Sequence, residues 1–173
     1  MELKYRVNEV SECILSLAEV KEYLRVTEDD QNSTITMCVQ SAIGYVESRL
    51  GYPIVEREMS LSVTDYDNSE IDLNPEDYHC DCEVRTIKDI QGNELEYFQM
   101  DNTLTVIDTQ GSNTFTITYD LIPHLPFRRQ LYQACMLLTG KFYEQRGDDS
   151  RAYTEGGWET INRILDPISR YWL

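Results

Sequence analysis

The chain has 173 residues, 41% of them hydrophobic, 12 tyrosines and a net charge of −16. That length suits one domain, or one with a sizeable insertion, and the apolar content argues for a packed core rather than disorder. The charge argues against sequence-independent DNA binding, which needs Lys and Arg to neutralise phosphates, and no apolar run nears the ~20 residues that span a bilayer.

The charge is concentrated. Residues 55–120 hold 3 Lys/Arg against 16 Asp/Glu, a net of −13, while 1–54 carry −4 and 121–173 carry +1. The opening residues are of mixed charge and lack a signal peptide's apolar core, so assembly in the cytosol is expected. Five cysteines is an odd count, and Cys38 and Cys135 fall in apolar helical stripes, which suits reduced, buried thiols better than a disulfide framework.

In chain order, Ser16 with Glu19 forms a capping-box pattern that opens a short helix to about Arg25, with Leu17, Val20 and Leu24 on one face. The carboxylates of residues 27–30 then suit the next helix's N-terminus. Ile35, Val39, Ala42, Val46 and Leu50 recur at helical spacing, and Gly51 with Pro53 ends that helix.

From Val55 the period becomes two, which predicts a strand with one wet face. Turn clusters at 65–68 and 74–77, 91–94, 101–102 and 110–113 separate further strand-like runs at 84–90, 95–99, 103–107 and 114–119. Such short strands predict an antiparallel meander, with the acids on its wet positions and in its turns. Pro123 and Pro126 end it. A long helix follows through Phe127, Leu131, Cys135, Leu138 and Phe142, closed by Gly147. Residues 147–157 are polar and glycine-containing, and the last helix starts near Trp158, with Pro167 predicting a kink or break near Asp166.

Chemical signals are few. His79, Cys80 and Cys82 are the metal-like cluster, but zinc sites draw on two separated ligand pairs, and only His124 remains as another histidine. In an extended segment Cys80 and Cys82 share a face, so packing neighbours is the stronger reading. The acid pairs, such as Asp65 with Asp67 or Asp148 with Asp149, lie in turns and arise readily among 31 acids. No phosphate loop or nucleophile elbow is present, so no catalysis and no cofactor are expected. Arg128 and Arg129 begin the long helix against its dipole, which suggests an ion pair with the acidic segment or a partner contact. The apolar end of the chain, with Ile168, Arg170, Tyr171, Trp172 and Leu173, suits either folding back on the core or docking onto another subunit.

The order of these elements resembles the head–tail connector (adaptor, head-completion) proteins of long-tailed bacteriophages. The similarity rests on residues 17–26 with Asp29 and Asp30, on 41–53, on 116–119 followed by Pro126 and the long helix to 143–146, and on 164–171. The resemblance implies a virion protein of the head–tail junction that is not an enzyme. It implies a self-associated ring, typically a dodecamer, that sits on the portal, bridges it to stopper or tail-completion proteins and lets DNA pass. No sequence-specific nucleic-acid binding and no membrane partner go with it. The simplest members are all-helical, and this chain departs from them by its acidic strand-rich segment.

The fold expected is therefore α+β. One connector-like domain over 1–173 would have a bundle of N- and C-terminal helices (1–54 and 121–173) and an antiparallel strand-rich insertion (55–120). Other readings are a different tail-completion factor, a small metal- or thiol-dependent protein using His79, Cys80 and Cys82, and an acidic domain that mimics DNA charge.

Overall fold

The computed structural model describes residues 1–10, 14–74, 76, 78, 80–109, 111–145 and 155–171. It has seven strands, β1 (Glu2–Val10), β2 (Arg57–Thr64), β3 (Ile71–Asp72), β4 (Cys80–Asp89), β5 (Glu96–Met100), β6 (Thr103–Asp108) and β7 (Phe115–Pro123). Four helices are α1 (Leu17–Leu24), α2 (Asn32–Leu50), α3 (Arg128–Gln145) and α4 (Glu155–Tyr171). The fold is thus mixed α+β. The chain divides into two compact units, one of strands (Met1–Glu12 with Val55–His124) and one of helices (Cys13–Ile54 with Leu125–Leu173).

In the strand unit, four antiparallel strands lie in the order β1-β2-β7-β4, and a second sheet has the order β3-β6-β5. This is not the meander predicted from turn spacing. Only β5 and β6 pair as successive neighbours joined by a tight turn, whereas β2 pairs with β1 and β7, far away in sequence. Strand β1 was grouped with the helical ends in the sequence reading, yet Leu3 and Tyr5 alternate with exposed Glu2, Lys4 and Arg6 as a sheet-edge strand requires. The β7 strand also outlasts its predicted end and runs into Pro123.

Both sheets contribute to one core. Leu61 and Val63 of β2, Phe115, Ile117 and Tyr119 of β7, and Leu104 and Val106 of β6 are buried together. Tyr66 meets Phe115 edge to face at 5.1 Å, a favoured aromatic geometry. Three tyrosine hydroxyls secure the irregular chain around β3. Tyr119 donates to the Leu73 carbonyl at 2.8 Å, Tyr5 donates to the Asp72 carbonyl at 2.7 Å, and Tyr66 accepts from the Val106 amide at 3.2 Å.

Strand β4 is an edge, and unpaired edge amides and carbonyls invite wrong pairing. Here side chains of the β5–β6 hairpin satisfy them. Asn102 accepts from the Cys82 amide and donates to the Cys80 carbonyl, both at 2.9 Å. Gln99 donates to the Cys82 carbonyl and accepts from the Val84 amide.

The helical unit follows its apolar stripes. Ile35, Val39, Ala42 and Val46 of α2 pack with Leu131, Ala134, Cys135 and Leu138 of α3, and Ile161, Leu165 and Ile168 of α4 are buried with them. Each such aliphatic side chain stabilises by about 1.5–3 kcal/mol when fully buried. At Gly140 a Cβ would sit 3.0 Å from the Tyr23 ring, so glycine lets α1 approach α3 closely. Arg49 pairs with Asp166 at 2.9 Å and ties α2 to α4.

The expected helix signals are present. Ser16 accepts from the Glu19 amide while the Glu19 carboxylate accepts from the Ser16 amide and hydroxyl, a complete capping box. Gly51 adopts φ +77° as the left-handed C-cap of α2. Of the carboxylates before α2, Asp29 binds Lys21 at 2.6 Å and accepts from the Asn32 side chain, while the cap position is Gln31, whose side chain makes no capping bond. One expectation needs correction. Helix α4 does not break near Asp166 but continues over Pro167, beginning at Glu155 rather than near Trp158.

Asn102→Ala should leave a strand amide and a carbonyl without partners. We expect a loss of about 2–6 kcal/mol in chemical denaturation followed by circular dichroism, at ~1–3 kcal/mol per orphaned group. Ser16→Ala should cost about 1 kcal/mol, the usual value of a lost N-cap. Hydrogen bonds from the Ser16 side chain and backbone hold the Glu19 carboxyl below the usual range. The stability gained from that lowered pKa is present above the unfolded value and disappears as pH falls through the folded one. The gap between wild type and Ser16→Ala should therefore be constant at neutral pH and narrow below about pH 4.

Candidate assembly interface

The two units differ sharply in charge. The strand unit has 5 Lys/Arg against 19 Asp/Glu, a net of −14, and the helical unit has 10 against 12, a net of −2. Within the strand unit the cations are not scattered. Register places Lys4 and Arg6 of β1, and Lys88 of β4, on the outer face of the four-stranded sheet, flanking the hydroxyls of Ser60, Ser62, Thr116 and Thr118. Arg85, at the β4 bulge, joins them by pairing across strands with Asp120 at 2.6 Å and Glu58 at 2.8 Å. That cluster leaves the second Asp120 oxygen buried without a hydrogen-bond partner. Acids share that face at Glu2, Glu58 and Asp120, and others lie in turns and on the second sheet, as at Asp65, Asp67, Glu96, Asp101 and Asp108.

Of the metal-like cluster, His79 lies outside the described residues. Cys80 and Cys82 are both buried on one face of β4, with Asp81 exposed between them, as extended geometry requires. The Cys82 sulfur points to the Leu73 carbonyl at 3.8 Å. The thiol pair is electrostatically unequal: a hydrogen bond from Cys82 lowers Cys80, while that bond together with burial raises Cys82. Among the described residues no group of three metal-ligating side chains converges. His124 instead pairs with Asp81 on the surface at 2.7 Å. Both thiols pack in the interior.

The residues expected at a partner contact separate into three kinds. Arg128 and Arg129 are exposed in the first turn of α3, and among the described residues of the helical unit neither has an ion pair. Ile168 is 1% exposed and belongs to the helix packing, so it is not a docking residue; the apolar stripe of α4 turns it inward. Arg170 and Tyr171 lie on the last turn of α4, and Trp172 and Leu173 are outside the described residues.

Two further surfaces were not visible in the sequence pattern. One is the tip of the β5–β6 hairpin. Phe98 and Met100 are 62% and 64% exposed on one face of β5, Ile107 is 65% exposed on β6, and Asp101 occupies the turn at φ +52°. The core side of this hairpin is taken by Leu104 and Val106 from β6.

The other surface is an open groove of about 600 Å³ in the helical unit. Tyr23, Leu24 and Arg25 of α1's end, Leu137, Gly140, Lys141 and Glu144 of α3, and Thr160 and Ile161 of α4 line it. Arg25 caps α1 in the left-handed region at φ +57° and is exposed. The Lys141 ammonium lies 4.3 Å from the Trp158 ring centre, shielded from solvent and with no hydrogen-bond acceptor among the described residues. Burial lowers its pKa. Trp158 is itself held between Tyr45 at 5.2 Å and Phe142 at 6.4 Å.

The chain matches the head completion protein family over residues 13–164. That span takes in all of the elements from α1 to β7, α3, and most of α4, and leaves β1 outside. Among solved structures the fold is similar to a chain in the virion of native gene transfer agent particle, with TM-score 0.52 and 18% identity over 95% of each chain. It is also similar to a chain in the neck of native gene transfer agent particle computed with C12 symmetry. There the TM-score is 0.53 and the identity 18%, over 92% of this chain and 94% of that one. No curated protein matches.

With Cys13 replaced by Ser, the native protein should show no fast-reacting thiol in a colorimetric titration. All four remaining cysteines are buried and free, and they should react together only after denaturant is added.

Proposed function

Since the chain belongs to the head completion protein family and so is a structural, non-enzymatic protein of the virion's head–tail junction, we propose that it acts there as an adaptor ring on the portal. In this reading it bridges the portal to stopper or tail-completion proteins, and DNA passes through its channel. The observation that carries the reading is the family match, which spans both units of the chain. The likeness to a chain of a neck computed with C12 symmetry supports a twelve-fold ring.

The charge distribution suits such a place. A polyanion passing a −14 unit meets repulsion rather than adhesive sites, so DNA can slide without being held. The exposed Arg128 and Arg129, without an ion pair among the described residues, suit an acidic patch on the portal, where complementary charge speeds docking and sets orientation. The end of α4 with Tyr171, Trp172 and Leu173 adds aromatic anchors of the kind that dominate interface energetics.

Electron microscopy of the protein mixed with the portal protein of the same virion should show a ring of added density on one portal face. Its absence at saturating protein would overturn the reading. Arg128→Glu with Arg129→Glu should weaken portal binding roughly tenfold or more while leaving circular dichroism unchanged. Truncation after Arg170 spares the buried Ile168 and so leaves the helical core intact, and it should weaken binding in the same direction.

A further inference from the structure

We propose that the β5–β6 hairpin of one copy docks into the helical groove of a second copy, with Phe98 and Met100 against the groove's apolar wall and Asp101 facing Arg25 and Lys141. The inference rests on the ring reading above and names the contact that would close the ring.

The two surfaces complement each other in composition. The hairpin tip combines exposed Phe98 and Met100 with the carboxylate of Asp101 in the turn. Among the described residues the groove combines Leu24 and Leu137 with Arg25 and Lys141, opposed by the carboxylate of Glu144. Arg25 is exposed at the groove's mouth, and the Lys141 ammonium, set against the Trp158 ring and without a hydrogen-bond acceptor among the described residues, adds positive charge behind it.

The hairpin is also prepared for docking. Gln99 and Asn102 fix it to β4, and Gln99 donates to the Asp101 carbonyl at 2.9 Å, so the turn is held before any partner arrives. Little ordering entropy is then lost on binding. Two different patches on one chain give a head-to-tail contact, and such contacts close into rings when the rotation per subunit allows it. A hairpin tip is smaller than the ~800 Å² per partner of a stable interface. Its role is therefore that of a central anchor within a wider subunit contact.

The test uses the full chain assembled on its portal protein, with benzoylphenylalanine at position 98 in isotope-labelled copies mixed with unlabelled ones. After irradiation, mass spectrometry should find labelled hairpin peptides joined to unlabelled peptides from residues 20–26 or 137–145. Phe98→Ser with Met100→Ser should weaken ring formation about tenfold or more, as loss of an anchor does, without loss of helix or strand signal. Asp101→Asn keeps the left-handed turn residue and should weaken it several-fold, with the difference shrinking at high salt. A ring whose cross-links lead to the portal, to a tail protein or to other parts of this chain would overturn the hairpin contact and leave the ring. Absence of any ring on the portal would overturn the ring reading itself.

Discussion

Strand β7 holds the strand unit together. It accepts β2 along one side and β4 along the other, and its inward side chains Phe115, Ile117 and Tyr119 are almost wholly buried. Its residues also reach beyond its own sheet. Tyr119 fastens the Leu73 carbonyl beside β3, and Asp120 receives Arg85 on the opposite face. Without this strand, β1 and β2 would be a two-stranded ribbon and β4 would have no ladder, and isolated ribbons of that kind are marginal in water. The apolar run Phe115, Ile117, Tyr119 and Leu121 is thus the part of the acidic segment that makes the rest possible.

How legible all this was in the sequence depends on how local each cause is. The capping box at Ser16, the stop at Gly51 and the stripe of α2 arise within a few residues, and the structure has each where the pattern puts it. Strand positions were also readable, because alternation is local. Strand order was not. The pairing of β2 with β7 joins residues more than fifty positions apart, and turn spacing favours neighbours over such partners. Strand β1 carried the alternation of Leu3, Tyr5 and Val7, but charges on its wet face and the exposure of an edge diluted the signal. Of the candidate site, the arginines of α3 were visible because they oppose the helix dipole. The groove was not, since its wall is assembled from three helices and its opening depends on a glycine meeting a tyrosine.

Charge and packing are separated within the molecule. The helical unit balances its charges closely and builds its stability from aliphatic contact, with Arg49 and Asp166 as a surface tie. The strand unit tolerates a large excess of acid because nearly all of it lies in turns and on wet faces, where solvent and salt screen repulsion. Where an acid is buried, as at Asp89, burial raises its pKa but hydrogen bonds from Asn93, Gln91 and Gly92 more than offset that. Asp120 has Arg85 for the same purpose. A large excess of acid is therefore compatible with a firm fold.

Strand β1 has a consequence for the way the chain is threaded. The backbone leaves the strand unit after residue 12, returns to it at 55 and leaves again after 124. Three covalent crossings therefore join the units, where an ordinary tandem arrangement would have one. During synthesis β1 must wait for the whole of α1 and α2, and then β2, before it can zip into place, so its pairing closes a loop of some fifty residues. Once closed, that loop makes α1 and α2 an excursion bracketed by a sheet. Pulling on either unit loads several backbone segments in parallel, and cutting any one of them leaves the other two holding.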